Sequence, residues 1–333
     1  MKLLKLWVLV AFLLVAVPGI AAQEYSAQPG PFAVGKIDDI VLHDPQRNRD
    51  VPIKVYYPEA SGIFPVLIFS HGAGGSKDGY SYFGEYFASH GYVCIHPTHY
   101  GSDTTMLHKG RPLLNLRAMK QIIANPDNWI NRPLDVSFII DSLPTLANKA
   151  PALAGKVDPS KIGASGHSFG AYTVMALAGA KVEIPSDGSR TFPDKRIQAF
   201  VAISPQGVDE EFHEGAWNNI TVPLMSISGS QDRGMGGQNP GWRKMPYEAM
   251  PAGDKFLIYI FGATHMAFAR GADMPGTEQL GSSRADTPRG EDIVKIAALA
   301  FFDSYLRGKK DGLEFLMGQF QKKQQEFLEF KYK

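Results

Sequence analysis

Ser168 stands between Gly166 and Gly170 in the stretch Lys161-Ile162-Gly163-Ala164-Ser165-Gly166-His167-Ser168-Phe169-Gly170. A strand-like run (161–165) precedes it and a helix-like apolar run (171–180) follows. A strand-to-helix turn this tight holds its central residue at strained backbone angles. It also brings the backbone so close that Cβ atoms two residues before and after would clash, so glycine is needed at both places. Such a turn lifts the Ser168 hydroxyl above the strand end, in front of a helix N-terminus that favours developing negative charge. The pattern is that of a nucleophile. A serine hydroxyl reacts poorly at neutral pH unless a base takes its proton and an acid orients the base.

In elbows of this kind the partners follow in the order serine, acid, histidine. The chain has nine histidines, and only His213 and His265 come after Ser168. His265 follows an apolar strand-like run (256–261) and the small-residue turn Gly262-Ala263-Thr264, which places it at a sheet edge. His213 lies in the charged stretch Asp209-Glu210-Glu211-Phe212-His213-Glu214 and reads as solvated. The base is therefore expected at His265. Asp232 stands just past the strand-like run 223–228 and is the expected acid, with Asp209 as its rival. The oxyanion needs two backbone N–H groups. One is expected from Phe169, after the nucleophile, and the other from Ala73 in the glycine-rich turn Ser70-His71-Gly72-Ala73-Gly74-Gly75. That turn lacks the Gly-Lys-Ser/Thr order of a phosphate loop, so no nucleotide is expected there. His99, Trp129 and His167 are the candidates for lining the substrate pocket.

The elements that must position these residues alternate. A hairpin (37–42 and 51–57) opens the chain around Asp44-Pro45-Gln46-Arg47-Asn48. Continuous apolar runs at 64–69, 92–96, 161–165, 198–203, 223–228 and 255–261 read as strands buried on both faces, with helical segments at 80–89, 133–147, 171–180 and 293–306 between or after them. Pro144 should end or kink the second of those helices. This is an α/β arrangement: a mostly parallel central sheet with helices on both faces and an opening antiparallel hairpin. Residues 101–131 do not fit the alternation and read as a lid or pocket-wall insertion, and 270–290 as a long loop. No period of 20 to 50 residues repeats, which excludes solenoids and propellers.

The 333 residues are 44% hydrophobic and carry a formal net charge of +1, so nothing points to nucleic acid. Residues 1–22 have a lysine-bearing start, an apolar stretch and a small-residue end, the pattern of a cleaved signal peptide. The expected product is an exported chain, periplasmic or secreted, without a membrane span in its mature form, and with residues 23–333 as one catalytic domain. Cys94, the single cysteine, lies in an apolar run and reads as an inert core thiol. His96 and His99, with His71 and Asp103 nearby, are neither on a helix nor joined by a cysteine, so no metal is expected, and no cofactor either. Residues 312–333 space their apolar side chains helically between lysines, a C-terminal helix that packs on the domain or makes peripheral lipid contact.

Through Phe69-Ser70-His71-Gly72-Ala73-Gly74-Gly75, Ala88-Ser89-His90-Gly91-Tyr92-Val93, Arg132-Pro133-Leu134-Asp135 and Gly166-His167-Ser168-Phe169-Gly170, the chain resembles the α/β-hydrolase superfamily over nearly all of its mature length. More narrowly, it resembles the dienelactone-hydrolase-related group that includes the platelet-activating-factor acetylhydrolase-like serine esterases. The resemblance implies Ala73 and Phe169 as oxyanion donors and a serine esterase as the activity. It departs in two places. Dienelactone hydrolases use a cysteine where Ser168 stands. The animal acetylhydrolases place their acid one strand earlier, where this chain has Ile203-Ser204-Pro205-Gln206 without a carboxylate. The expected function is a carboxylic-ester hydrolase acting on a small-molecule or lipid ester through an acyl-enzyme. The alternatives are a peptidase or acyltransferase on the same triad, or a short-acyl phospholipid hydrolase. The complete Ser168, Asp232 and His265 set argues against a non-catalytic binding module.

Overall fold

The computed structural model describes residues 25–108, 111–185, 187–269 and 287–333. The expected signal peptide and all but the last four residues of the expected 270–290 loop lie outside them; those four belong to a helix. The strands are β1 (Val34–Asp44), β2 (Arg49–Pro58), β3 (Phe64–Ser70), β4 (Val93–Pro97), β5 (Val157–His167), β6 (Lys181–Ile184), β7 (Gly188–Thr191), β8 (Ile197–Ile203), β9 (Leu224–Gln231), β10 (Lys255–Thr264) and β11 (Leu328–Tyr332). The helices are α1 (Ser81–Ser89), α2 (Pro112–Ala124), α3 (Pro126–Ser142), α4 (Leu146–Lys149), α5 (Phe169–Ala178), α6 (Met245–Ala249), α7 (Thr287–Arg307), α8 (Lys310–Phe315) and α9 (Gln321–Gln324).

Nine strands form one sheet in the order β1-β2-β4-β3-β5-β8-β9-β10-β11. The six strands from β4 to β10 run parallel. The β1–β2 hairpin and β11 are antiparallel to their neighbours at the two edges. The apolar strands are continuous because alternate residues enter two cores. In β3, Val66 and Ile68 pack with α3 and α5 on one face, whereas Leu67 and Phe69 pack with α1 and α7 on the other. α5 is buried along its whole length. It forms although apolar residues surround it on every side, because it sits between the sheet and α3.

Three sequence expectations need correction. α3 continues through Pro133 and begins at Pro126, capped by the Asn125 side chain, and it ends one residue before Leu143-Pro144. Pro133 is the eighth residue of the helix, and its missing N–H removes one intrahelical bond there. The tail is not one helix: helical turns run from Lys310 to Gln324, and then Leu328–Tyr332 pairs with β10 as the last strand. Leu328, Phe330 and Tyr332 alternate with Glu329 and Lys331, and an open sheet edge rewards that period of two. The β6–β7 hairpin was not anticipated. Among the described residues, no helix is long and apolar enough to cross a membrane.

All the chemistry gathers where the parallel strands end. The ends of β3, β5, β8, β9 and β10 lead directly into residues 71–75, Ser168, 204–206, Asp232 and His265. Ligands bind beyond the carboxyl ends of strands in open sheets of this kind.

Candidate active site

Ser168 caps α5 with φ 57° and ψ −118°, a left-handed φ that a residue bearing a Cβ adopts only under constraint. The constraint is close packing. A Cβ on Gly170 would lie 1.9 Å from the Ser70 carbonyl oxygen, and one on Gly166 would lie 2.5 Å from the Gly170 carbonyl oxygen. Backbone atoms cannot step aside as a side chain can. Gly170→Ala is therefore expected to destabilise the fold by about 3 kcal/mol and to remove activity through displacement of the elbow. Thermal unfolding together with ester turnover checks this, and a variant with wild-type melting temperature and rate would contradict it.

His265 Nε2 lies 2.9 Å from Ser168 Oγ, and His265 Nδ1 lies 2.8 Å from Asp232 Oδ1. Asp232 is wholly buried, whereas the His265 side chain keeps 30% of its surface exposed. Asp232 Oδ2 accepts from Ser228 Oγ at 3.1 Å. Burial pushes the Asp232 carboxyl up, but His265 and Arg243 together outweigh it and hold the group well below the usual carboxylate range. Asp209, the rival acid, accepts instead from the Gln238 side chain, and His213 is exposed.

Sequence reasoning missed Arg243. Its Nε donates to Asp232 Oδ1 at 3.0 Å, its Nη1 to the Ser204 and Pro205 carbonyls, and its Nη2 to the Arg233 carbonyl. Nη2 also stands 3.2 Å from His265 Nδ1. From the same loop, Gln206 Nε2 donates to the Ser168 carbonyl at 3.0 Å. One guanidinium thus ties the acid to the segment that holds the nucleophile's own backbone. Locally, Asn239-Pro240-Gly241-Trp242-Arg243-Lys244 looks like a surface loop, and no local signal marks Arg243.

Phe169 is the first residue of α5, where an N–H has no intrahelical partner. The β3–α1 turn comes over the serine: a Cβ on Gly72 would lie 3.4 Å from the Ser168 Cβ. The N–H groups of Gly74 and Gly75 are spent on the Ser102 and Gly72 carbonyls. Ala73, buried just before them, is the expected second donor. Residues 101–131 form a 3-10 turn (Thr104–Met106), α2 and the start of α3. Their first part is bound to the same turn, through Gly74 N–H to Ser102 and Thr104 N–H to the Gly75 carbonyl.

The three pocket candidates are all buried and hydrogen-bonded in the interior. Trp129 is core, and its indole N–H donates to the Ile123 carbonyl. His167 is buried. Its Nε2 lies 3.1 Å from the His265 carbonyl and its Nδ1 2.9 Å from Tyr80 Oη. The carbonyl can only accept, so Nε2 carries the proton and Nδ1 accepts from Tyr80. His99 is fully buried between Ser70 Oγ (3.1 Å) and Asp135 Oδ2 (3.0 Å). Polar residues beside a strand end resemble pocket linings in sequence, but here each is consumed by a buried hydrogen bond.

Ser70, His99 and Asp135 form a second Ser-His-Asp string. It differs from the first in access: all three side chains are buried, and Asp135 is shared with Arg47 and Arg49. Ser70 belongs to the ladder of β3, not to a strained turn. Cys94 is buried, and burial pushes its thiol pKa up. Among the described residues, no group of three His, Cys, Asp or Glu side chains could hold a metal ion.

Buried histidines also set the acid limit of the fold. Burial pushes His96 and His99 down to about 4, and His71 and His167 well below the ordinary value. Each stays neutral when folded but takes up a proton near pH ~6.5 once unfolded. Their contribution is complete above that pH and is lost progressively as pH falls toward 4. Glu211 has the opposite sign: burial raises it to about 7, so folding gains a proton there between pH 4.5 and 7. Four groups outweigh one, and the melting temperature is expected to fall continuously from pH 7 to 5. A melting temperature that is flat or rising on acidification would contradict this.

A parallel sheet with helices on both faces, a serine elbow after β5, and acid and histidine positions after later strands together define the α/β-hydrolase fold. A chlorophyllase family model matches residues 27–211, more than half of the sequence, and the chain belongs to the chlorophyllase family. The match takes in Ala73 and Ser168 and ends before Asp232 and His265. Among curated proteins, the chain is 29% identical over 127 residues to chlorophyllase type 0 of Chenopodium album, covering 38% of this chain and 32% of that one. It is 24% identical over 287 residues to platelet-activating factor acetylhydrolase of Cavia porcellus, covering 77% and 61%. It is 23% identical over 216 residues to cutinase est2 of Thermobifida alba, covering 64% and 56%. The aligned segments thus span from about a third to about three fifths of these relatives' lengths.

Proposed function

We propose that this chain is a serine carboxylic-ester hydrolase. The observation that carries the reading is the line from Ser168 Oγ to His265 Nε2 (2.9 Å) and from His265 Nδ1 to Asp232 (2.8 Å), with the serine on a strained, half-buried elbow. Ser168 Oγ attacks the ester carbonyl carbon while His265 Nε2 takes its proton. The tetrahedral oxyanion rests on the Phe169 and Ala73 N–H groups. Collapse breaks the bond to the alkoxy oxygen, which leaves as the alcohol with the proton from His265. Water, deprotonated by the same nitrogen, then cleaves the acyl-enzyme. Asp232 keeps the Nδ1 proton facing it, so that Nε2 is free to accept.

The relatives, named for chlorophyll, platelet-activating factor and cutin, support a lipid or small-molecule ester as substrate. The apolar stretch within residues 1–22 supports export. The test is a panel of nitrophenyl esters of graded acyl length plus a short-acyl phospholipid, each run beside Ser168→Ala. Competing alcohol and peptide acceptors in the same assay separate hydrolase from acyltransferase and peptidase. Serine-dependent release of free acid is expected, and preferential transfer to an acceptor would replace the reading.

A further inference from the structure

The two oxyanion donors come from separate parts of the chain, the β3–α1 turn and the start of α5, and something must fix their separation. Arg132, in α3, touches both. Its Nη2 donates to the His71 carbonyl at the base of the turn, and its guanidinium carbon stands 4.6 Å from the centre of the Phe169 ring. Its Nε donates to Thr173 Oγ1 at 2.9 Å, which itself donates to the Phe169 carbonyl at 3.2 Å. Its Nη1 donates to Ser102 Oγ at 2.7 Å, and the Ser102 carbonyl accepts the Gly74 N–H.

The charge itself also calls for an explanation. Arg132 is completely buried, and among the described residues no carboxylate lies within ion-pair reach of it. Asp135, three residues on in the same helix, is occupied by His99, Arg47 and Arg49. Burial pushes the Arg132 pKa down to about 9, so it stays charged at neutral pH. An unpaired buried cation is a poor device for stability alone. Set against the His71 carbonyl and the Phe169 ring, next to the two residues that the esterase reading gives to the oxyanion, it is a favourable one.

Resting on the esterase reading above, we propose that Arg132 is a positioning residue for the oxyanion hole: it sets the spacing of the Ala73 and Phe169 donors and supplies positive potential behind them. His71, His99 and Asp135 form its outer brace. The His99 N–H donates to His71 Nε2 at 3.1 Å, while the His71 Nδ1–H donates to the Gly72 carbonyl. The Arg-Pro-x-Asp motif thus turns its arginine toward the hole and its aspartate toward the brace.

The test compares wild type, Arg132→Met, Arg132→Lys and Thr173→Val on a nitrophenyl ester and on a trifluoromethyl ketone, which forms an anionic tetrahedral adduct. For Arg132→Met, kcat is expected to fall on the order of 10- to 100-fold, less than the 10²–10³ of deleting a donor outright. KM should stay within about twofold, because the effect lies in the transition state. Affinity for the ketone should fall by the same factor as kcat/KM, and Arg132→Lys should recover part of it. If Arg132→Met does not fold, Thr173→Val carries the test with the same split at a smaller size. A folded variant with wild-type kcat and ketone affinity, or a change confined to KM, overturns the proposal. An inactive wild type, or turnover that survives Ser168→Ala, would instead overturn the esterase reading.

Discussion

Ser168→Ala is expected to lower ester turnover by roughly 10⁴- to 10⁶-fold while leaving the fold intact. The size follows from the chemistry. Without Oγ there is no acyl-enzyme, and what remains is water acting in a site that still binds the ester and its oxyanion. The fold should survive because alanine meets the same left-handed backbone as serine, and only the bond to His265 is lost. The matched control is Ser70→Ala, in the second Ser-His-Asp string. Its hydroxyl is buried and, among the described residues, bonds to His99 alone, so most of the activity should persist. Initial rates and circular dichroism on both variants decide the matter. Equal turnover in wild type and Ser168→Ala, or a collapse confined to Ser70→Ala, would move the nucleophile elsewhere.

Asp232→Asn should lower kcat on the order of 10²-fold or more, by a different route. Arg243 Nε, Ser228 Oγ and His265 Nδ1 all converge on this carboxylate. Arg243 Nε and His265 Nδ1 share Oδ1, whereas Ser228 Oγ meets Oδ2. An asparagine whose amide oxygen takes the Oδ1 place keeps both donors, and its NH₂ faces Ser228 Oγ, which can accept. The imidazole keeps its tautomer but loses the negative charge that stabilises its protonated form in the transition state. The same change leaves the buried Arg243 charge uncompensated, and breaking a buried pair in this way costs about 3 to 5 kcal/mol. Asp232→Asn should therefore melt well below wild type, whereas Ser168→Ala should not. Rates within tenfold of wild type in a folded Asp232→Asn would refute the charge argument.

Arg132 and Arg243 play parallel parts in this arrangement. Each is a buried guanidinium whose fork holds backbone carbonyls near the site, one behind the oxyanion turn and one beside the acid. Lysine could supply the charge in either place but not the divergent donors.

What the sequence by itself determined was the elbow, the order of the residues that line up behind it, the glycine-rich turn after β3 and the α/β layering. These are legible because they are local. Glycines two residues either side of Ser168 answer a backbone contact within one turn, and an all-apolar run such as 64–69 states that a strand is covered on both faces. The tertiary structure alone decided which polar residues are consumed in the interior. His99 and His167 stand beside strand ends in sequence, but their partners Asp135 and Tyr80 lie 36 and 87 residues away, inside the protein. Arg243 carries no local signature, and the motif around Arg132 does not state its role, because a guanidinium's role depends on which carbonyls the folded chain brings to its fork. The last strand could have been read from the alternation at 328–332, but five residues fit a helix pattern nearly as well. The open edge of β10 settles it, since its unpaired N–H and C=O groups are satisfied only when those residues run alongside it.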